Sequence, residues 1–302
     1  KKIISVFFII FIVYRFIFLS PLTYFMRDLE EQFHPWKEYA TTTLIKGDFP
    51  YWNPYNFTGI PFLGNIQTAI FSPFSPLFYI FGWKLGLKLF YFFSLFILGI
   101  GVSLLFFEKN LIISLFSTSI FLFNSFQFSQ NEFLSGLGTT VFFPYLILFL
   151  KRKRTLLLSI SLSFSFLSGH PQLLVLEILV LFIFIKRENL LTFLKAGLLS
   201  LLISFPQFIE TLIFFINSYW IKLDFKELTR LSLRVKDLIY YIFPFYNIKK
   251  PYFINIYKNP FWIKCYYFGF VPFLISLCAV SYTHLRAHET RHDLVCRLLL
   301  EK

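Results

Sequence analysis

Asp28 stands directly behind the first long apolar run, where a chain leaving a membrane meets water. A carboxylate at such a boundary, with apolar walls on one side, keeps enough basicity to take a proton from an acceptor hydroxyl. It can equally hold a divalent cation against a phosphate. Glu31 and Gln32 follow three and four residues later, on the same face if the segment is helical. The plainer role for Asp28 is a cap for the following helix or a solvated charge, and Glu30 and Glu38 read as solvated charges. Trp52-Asn53-Pro54-Tyr55 and Gly59-Ile60-Pro61 make a stiff aromatic turn. Aromatic rings stack on sugar faces, and Trp and Tyr also anchor chains at membrane interfaces, so both uses are open. Farther along, Glu132, His170, Gln207 and Glu210 are polar groups set among apolar runs, and Glu177 lies deeper within one. An ionisable group inside an apolar span is costly, which makes Glu177 and Glu210 candidate functional groups; pairing with a neighbour such as Arg15 or Lys195 is the structural alternative. His170 either donates to a phosphate or caps a short hairpin. Arg230, Arg234 and Lys236 either grip a lipid phosphate or form a solvated basic face.

What must position these groups is a set of apolar helices. Of the 302 residues 57% are hydrophobic, which excludes an ordinary soluble domain. A span needs roughly 20 mostly apolar residues. We read spans at residues 3–19, 89–107, 111–124, 140–150, 155–167, 173–185 and 193–215, with an eighth begun over 266–279. Residues 69–83 read as an interfacial or re-entrant segment, because Pro73 and Pro76 interrupt them. The expected fold class is all-α, a polytopic transmembrane helical bundle with a large first external loop. The net charge of +13 would point to nucleic acid in a soluble protein. Here Lys and Arg sit at the ends of apolar runs, so the partner expected is the lipid bilayer and not nucleic acid. Lys151-Arg152-Lys153-Arg154 and Lys186-Arg187 mark cytoplasmic ends. That puts the N-terminus inside and residues 27–88 and 169–172 outside, in a multi-pass protein of the cell membrane. Lys1-Lys2 before the first apolar run reads as an uncleaved signal anchor. Cys265 and Cys278 offer no disulfide framework.

From Val280 the character changes abruptly. Residues 280–302, VSYTHLRAHETRHDLVCRLLLEK, back-translate into a transposon-type sequencing adapter followed by a flow-cell primer, and resemble a laboratory oligonucleotide more than protein. His284, His288, His292 and Cys296 recur at four-residue spacing and would imitate a zinc-binding face on a helix. The adapter resemblance removes them from consideration. Residues 1–279 are then expected to be the N-terminal part of a multi-span membrane domain, truncated inside its last apolar run.

Asp28 with Gln32 and Pro35, followed by GDFPYWNPYNFTGIPFLGNIQTAIFSPFSPL over residues 47–77, resembles the first external loop of bacterial YfhO-type membrane proteins. Those are similar to the GT-C superfamily of lipid-phosphate-sugar glycosyltransferases. SGHPQ at 168–172, FPQFIETLIFFINS at 205–218 and YYFGFVPFLISL at 266–277 follow in the expected order, so the resemblance covers nearly all of residues 3–279. It implies a GT-C-like bundle that moves a sugar from a polyprenyl-phosphate-sugar donor to a cell-envelope glycopolymer, such as lipoteichoic acid, or to a glycolipid. In that superfamily an Asp or Glu of the first external loop is the catalytic base or a metal-site residue, and Asp28 holds that place here. Asp28 is therefore the expected catalytic residue and, with Mg or Mn as cofactor, the expected metal ligand. Leu29 interrupts the adjacent acidic pair that such enzymes often carry. Glu31, Gln32, Trp52, Asn53, His170, Gln207 and Glu210 are the expected substrate-binding residues. Family members are usually longer, so this stretch alone is expected to be inactive. The alternatives are a polytopic transporter or flippase of lipid-linked glycans, with Glu177 and Glu210 lining a path, or a non-catalytic envelope assembly partner. Adapter-free reads of the genomic locus are expected to carry the frame past codon 279 into further apolar segments. A genome that encodes residues 280–302 and then stops contradicts the adapter reading.

Overall fold

The computed structural model describes residues 28–56, 58–106, 111–124, 126, 127 and 130–218. The spans expected at 3–19 and 266–279, the basic residues Arg230, Arg234 and Lys236, and the tail 280–302 lie outside the described residues. The chain divides into two compact units, and the described residues other than Asn124 and Phe126 belong to one of them.

The first polar loop is folded along its length. Leu29–Phe33 forms a π-helical turn in which the His34 amide donates to the Leu29 carbonyl, five residues back. Helix α1 (His34–Ile45) follows, with Pro35 in its first turn. Proline has no amide to donate and its ring crowds the preceding turn, which favours the wider register just before it. Leu29, Phe33, Trp36, Lys37 and Ala40 form the buried stripe of this helical segment. A two-residue pair comes next, β1 (Trp52–Asn53) antiparallel to β2 (Ile60–Pro61), with Trp52 opposite Pro61 and Asn53 opposite Ile60. Its turn needs Gly59, at φ +118°, because the Trp52 indole lies against the bare α-carbon and any side chain there would strike it. A 3-10 turn, Ile66–Thr68, closes the loop; the Asn65 side chain accepts the Gln67 amide at 3.2 Å, and Ala69 turns left-handed at φ 50°.

The remaining described chain is mostly helix: α2 (Ser75–Leu105), α3 (Leu111–Phe123), α4 (Leu134–Thr140), α5 (Phe143–Lys151), α6 (Thr155–Leu167), α7 (Pro171–Leu181), α8 (Leu190–Ile203) and α9 (Phe205–Ile216). Helix α2 and the run Leu134–Lys151 are each long and apolar enough to cross a membrane. Helices α8 and α9 meet the same test together but are bent by 78°, so the count is two, or three with the bent pair. Leu111–Phe123, Thr155–Leu167 and Pro171–Phe184 are apolar but shorter. Two boundaries differ from the sequence expectation. The segment read as interfacial up to residue 83 and the span read from 89 belong to one element, α2, broken at Gly82 (φ 71°, ψ 178°). Pro76 sits in the first turn of α2, where a missing amide does no harm. The span read straight through 193–215 is broken before Pro206, which has no amide to continue the ladder of α8.

One apolar core runs from the loop into the helices, joining Leu29, Phe33 and Trp36 to Phe74, Phe78, Phe90 and Leu137. A second lies among α5 to α8, around Leu146, Leu150, Leu158, Leu162 and Ala196. Outside them, Leu176, Leu198, Leu202 and Ile216 stay more than half exposed, a surface suited to lipid. Helices α2 and α5 meet at Gly101, where an added side chain would collide with Tyr145 and Pro144. Nearby the Tyr145 hydroxyl donates to the Ile97 carbonyl at 2.7 Å. Gly101→Leu is expected to cost about 1–3 kcal/mol by overpacking, seen as a lower thermal midpoint of the detergent-solubilised protein. An unchanged midpoint contradicts this crossing.

Candidate functional site

Four sets of contacts hold the first polar loop, one within it and three from segments distant in sequence. Lys37, buried on α1, donates from Nζ to the Thr68 carbonyl at 2.9 Å, the Ala69 carbonyl at 3.3 Å and Ser75 Oγ at 2.8 Å. The Phe78 ring stands 5.4 Å from the same amine, and no carboxylate pairs with it among the described residues. Ser75 Oγ in turn donates to the Ala69 carbonyl. On the far side, Gln207 of α9 donates to the Leu63 carbonyl at 2.8 Å and to Thr211 Oγ1 at 3.0 Å. Gly169, at φ +101°, lets the α6–α7 turn approach Ile66; an added side chain would lie 2.6 Å from the Ile66 carbonyl. Ser72 and Ser168 meet hydroxyl to hydroxyl at 3.4 Å.

The fourth contact joins acids. The Asp28 amide donates to Glu132 Oε1 at 3.4 Å across 104 residues of sequence. The donor is thus the backbone amide of a helical residue and the acceptor a side-chain carboxylate. Glu132 is buried, at the end of a 3-10 turn (Gln130–Glu132) that leads into α4. A small cavity lies between Lys37, Ser72, Ser75, Ser135 and Ser168, walled by Phe33, Phe78 and Phe90. It has room for about one water molecule. The Ser135 hydroxyl on its wall has no hydrogen-bond partner among the described residues. Such a space admits water but no sugar.

The other expected residues divide by position. Glu31 and Gln32 are exposed. Trp52 is about half exposed, and the Tyr39 hydroxyl donates to its carbonyl at 2.6 Å. Asn53 is buried and accepts the Tyr55 amide at 3.0 Å, an Asx turn that shapes the loop. His170 caps α7, its Nδ1 accepting the Leu173 amide at 3.4 Å, and burial holds its ring below the usual imidazole range. Glu210 packs its backbone carbonyl against Gly64, and its side chain shows no ion pair among the described residues. A divalent cation is commonly held by one or two carboxylates together with substrate phosphate oxygens. Asp28 and Glu132 meet through the Asp28 backbone amide, which brings the two residues, not their two carboxylates, into contact. Among the described residues, no group of three or more His, Cys, Asp or Glu could hold a metal by itself. No family model, curated protein or solved structure matches this chain.

Two features escaped the sequence reading. His34 lies between Glu30 at 2.9 Å and Glu38 at 3.4 Å and stacks on Trp83 with centroids 4.5 Å apart. The spacing of four residues was there to be read. Lys37 was the larger omission, and its signal was a charge placed in the apolar stripe between Phe33 and Ala40. Burial pushes its amine down from 10.5 to about 7. Below about pH 7 folded and unfolded chains both carry this proton. Between about 7 and 10.5 the unfolded chain keeps a proton that the folded chain has shed, so stability rises with pH through that window. The full rise is of order 5 kcal/mol. Thermal unfolding in detergent is expected to show it in the wild type and to lose that component in Lys37→Met; equal slopes in both proteins contradict it.

Proposed function

We propose that the protein is a YfhO-type, GT-C-like glycosyltransferase of the cell membrane. It moves a sugar from a polyprenyl-phosphate donor to a cell-envelope glycopolymer or glycolipid at the outer face. The observation that supports this reading is the meeting of Asp28 and Glu132. Two acidic residues from separate polar segments come together beside a folded, aromatic-rich loop and next to apolar helices. That is where a lipid-anchored phosphate and a water-borne acceptor can both arrive.

On this reading Asp28 takes the proton from the acceptor hydroxyl as its oxygen bonds to the anomeric carbon and the polyprenyl phosphate departs with the old bond's electrons. A divalent cation held by Asp28 and Glu132 would neutralise the charge of the donor phosphate. Glu31, Gln32 and Trp52, exposed beside or beyond α1, are available to an acceptor chain. Gln207 and Asn53 shape the loop through the Leu63 and Tyr55 contacts, and His170 caps α7 through the Leu173 amide.

One observation favours the second reading, a lipid-linked glycan transporter. The 78° bend between α8 and α9 is a broken helix, the kind of element that builds substrate sites in transporters. Proteoliposomes carrying the product of the whole gene separate the two. Asp28→Asn is expected to reduce sugar transfer by about 100-fold or more with expression unchanged. Full transfer by that variant removes Asp28 from the reaction, and translocation without transfer favours the transporter.

A further inference from the structure

Glu177 sits on α7 with only 7% of its surface exposed, while Val175, Leu176 and Leu179 beside it face outward. One carboxyl oxygen, Oε2, is 3.1 Å from the Ser165 hydroxyl of α6. The other is buried without a hydrogen-bond partner among the described residues. The Ser165 hydroxyl also lies 3.4 Å from the Thr139 carbonyl of α4, and the Thr139 hydroxyl donates to the Ser165 carbonyl at 3.1 Å. Acceptors outnumber donors here. The single Ser165 O–H has a carboxyl oxygen on one side and a carbonyl on the other and can serve one of them at a time.

No cation balances this carboxyl among the described residues. Helices α4 and α6 bring no titratable side chain to α7. Helix α5 brings Tyr145, committed to the Ile97 carbonyl at 2.7 Å, and Lys151, whose amine stands 4.8 Å over the Phe184 ring. The Gln130–Glu132 turn packed on α4 brings Glu132, which accepts the Asp28 amide, and His170 at the head of α7 accepts the Leu173 amide. A carboxylate left there would be an uncompensated buried charge.

We propose that Glu177, Ser165 and Thr139 form a proton-binding site inside the bundle. With the proton on Oε2, the carboxyl donates to Ser165 Oγ and Ser165 donates to the Thr139 carbonyl, so that each O–H has its acceptor. When the proton leaves, the Ser165 O–H turns to the carboxylate, and the Thr139 carbonyl keeps the Phe142 amide at 3.2 Å. Binding and release are thus tied to the rotation of one hydroxyl. The site uses none of the residues assigned to sugar transfer, and it stands or falls separately from that reaction.

Dicyclohexylcarbodiimide tests it, because this apolar reagent enters from the lipid and adds whole to a protonated carboxyl, ending as an N-acylurea. In proteoliposomes, peptide mass mapping is expected to find Glu177 labelled near about pH 6. Labelling should fall roughly tenfold or more by about pH 9.5, within the range reached by buried carboxyls. A water-soluble carbodiimide should leave Glu177 unlabelled at both values. Glu177→Gln should lose the mass shift, and the wild-type profile decides the matter even if that variant folds poorly. Absence of label at the lower pH, or equal label at both, overturns the proposal. Protection by sodium ions at fixed pH also overturns it, by making the ligand a metal cation.

Discussion

The amine of Lys37 reaches three oxygen acceptors in an apolar interior, and the shape of the first polar loop hangs on those contacts. The left-handed turn at Ala69 aims the Thr68 and Ala69 carbonyls inward, away from water. A buried carbonyl left without a donor costs about 1–3 kcal/mol. Lys37 serves the Thr68 carbonyl, shares the Ala69 carbonyl with the Ser72 amide and the Ser75 hydroxyl, and through Ser75 ties the same turn to the start of α2. Once the turn is fixed, Ile66 is in place for the close approach of Gly169, and Leu63 for the amide of Gln207. The loop is then a folded layer carrying Asp28 to Glu132.

The same constraint governs the helices. An apolar surround leaves polar groups nothing but each other, and α6 carries a serine at every second position from 159 to 165. Ser159, Ser161 and Ser163 return their hydroxyls to carbonyls one turn back, at 2.8 to 2.9 Å. Small side chains of this kind let helices approach closely, and Ser163 meets Ser200 of α8 at 3.1 Å. Ser165 departs from the pattern. Its hydroxyl is spent on Glu177 and Thr139, which is why the one buried acid of α7 has a polar neighbour at all.

Apolar runs were legible because hydropathy needs no partners. The helices at 111–123 and 155–167 lie where such runs stand in the sequence. Breaks were not legible: hydropathy passes unchanged through Gly82 and Ser204, where one left-handed glycine and one missing proline amide redirect the backbone. At the site, the acidity of Asp28 and Glu132 was readable, but their meeting depends on a backbone amide, which no side-chain motif encodes. Lys37 was hidden for a further reason. Near an apolar run a lysine reads as a topological charge, and its burial makes sense only with acceptors 31 to 38 residues away.

Hydrogen exchange on the loop tests the anchoring role of Lys37 most directly. In the wild-type protein the amides of Phe62, Thr68, Ser72 and Ser75, bonded to the Tyr51, Asn65, Ala69 and Ser72 carbonyls, should exchange slowly as one group. In Lys37→Met the account predicts that this protection collapses together across the loop while α6 and α8 keep theirs. Retained protection in that variant would contradict it, and would mean that apolar packing alone holds the loop in place.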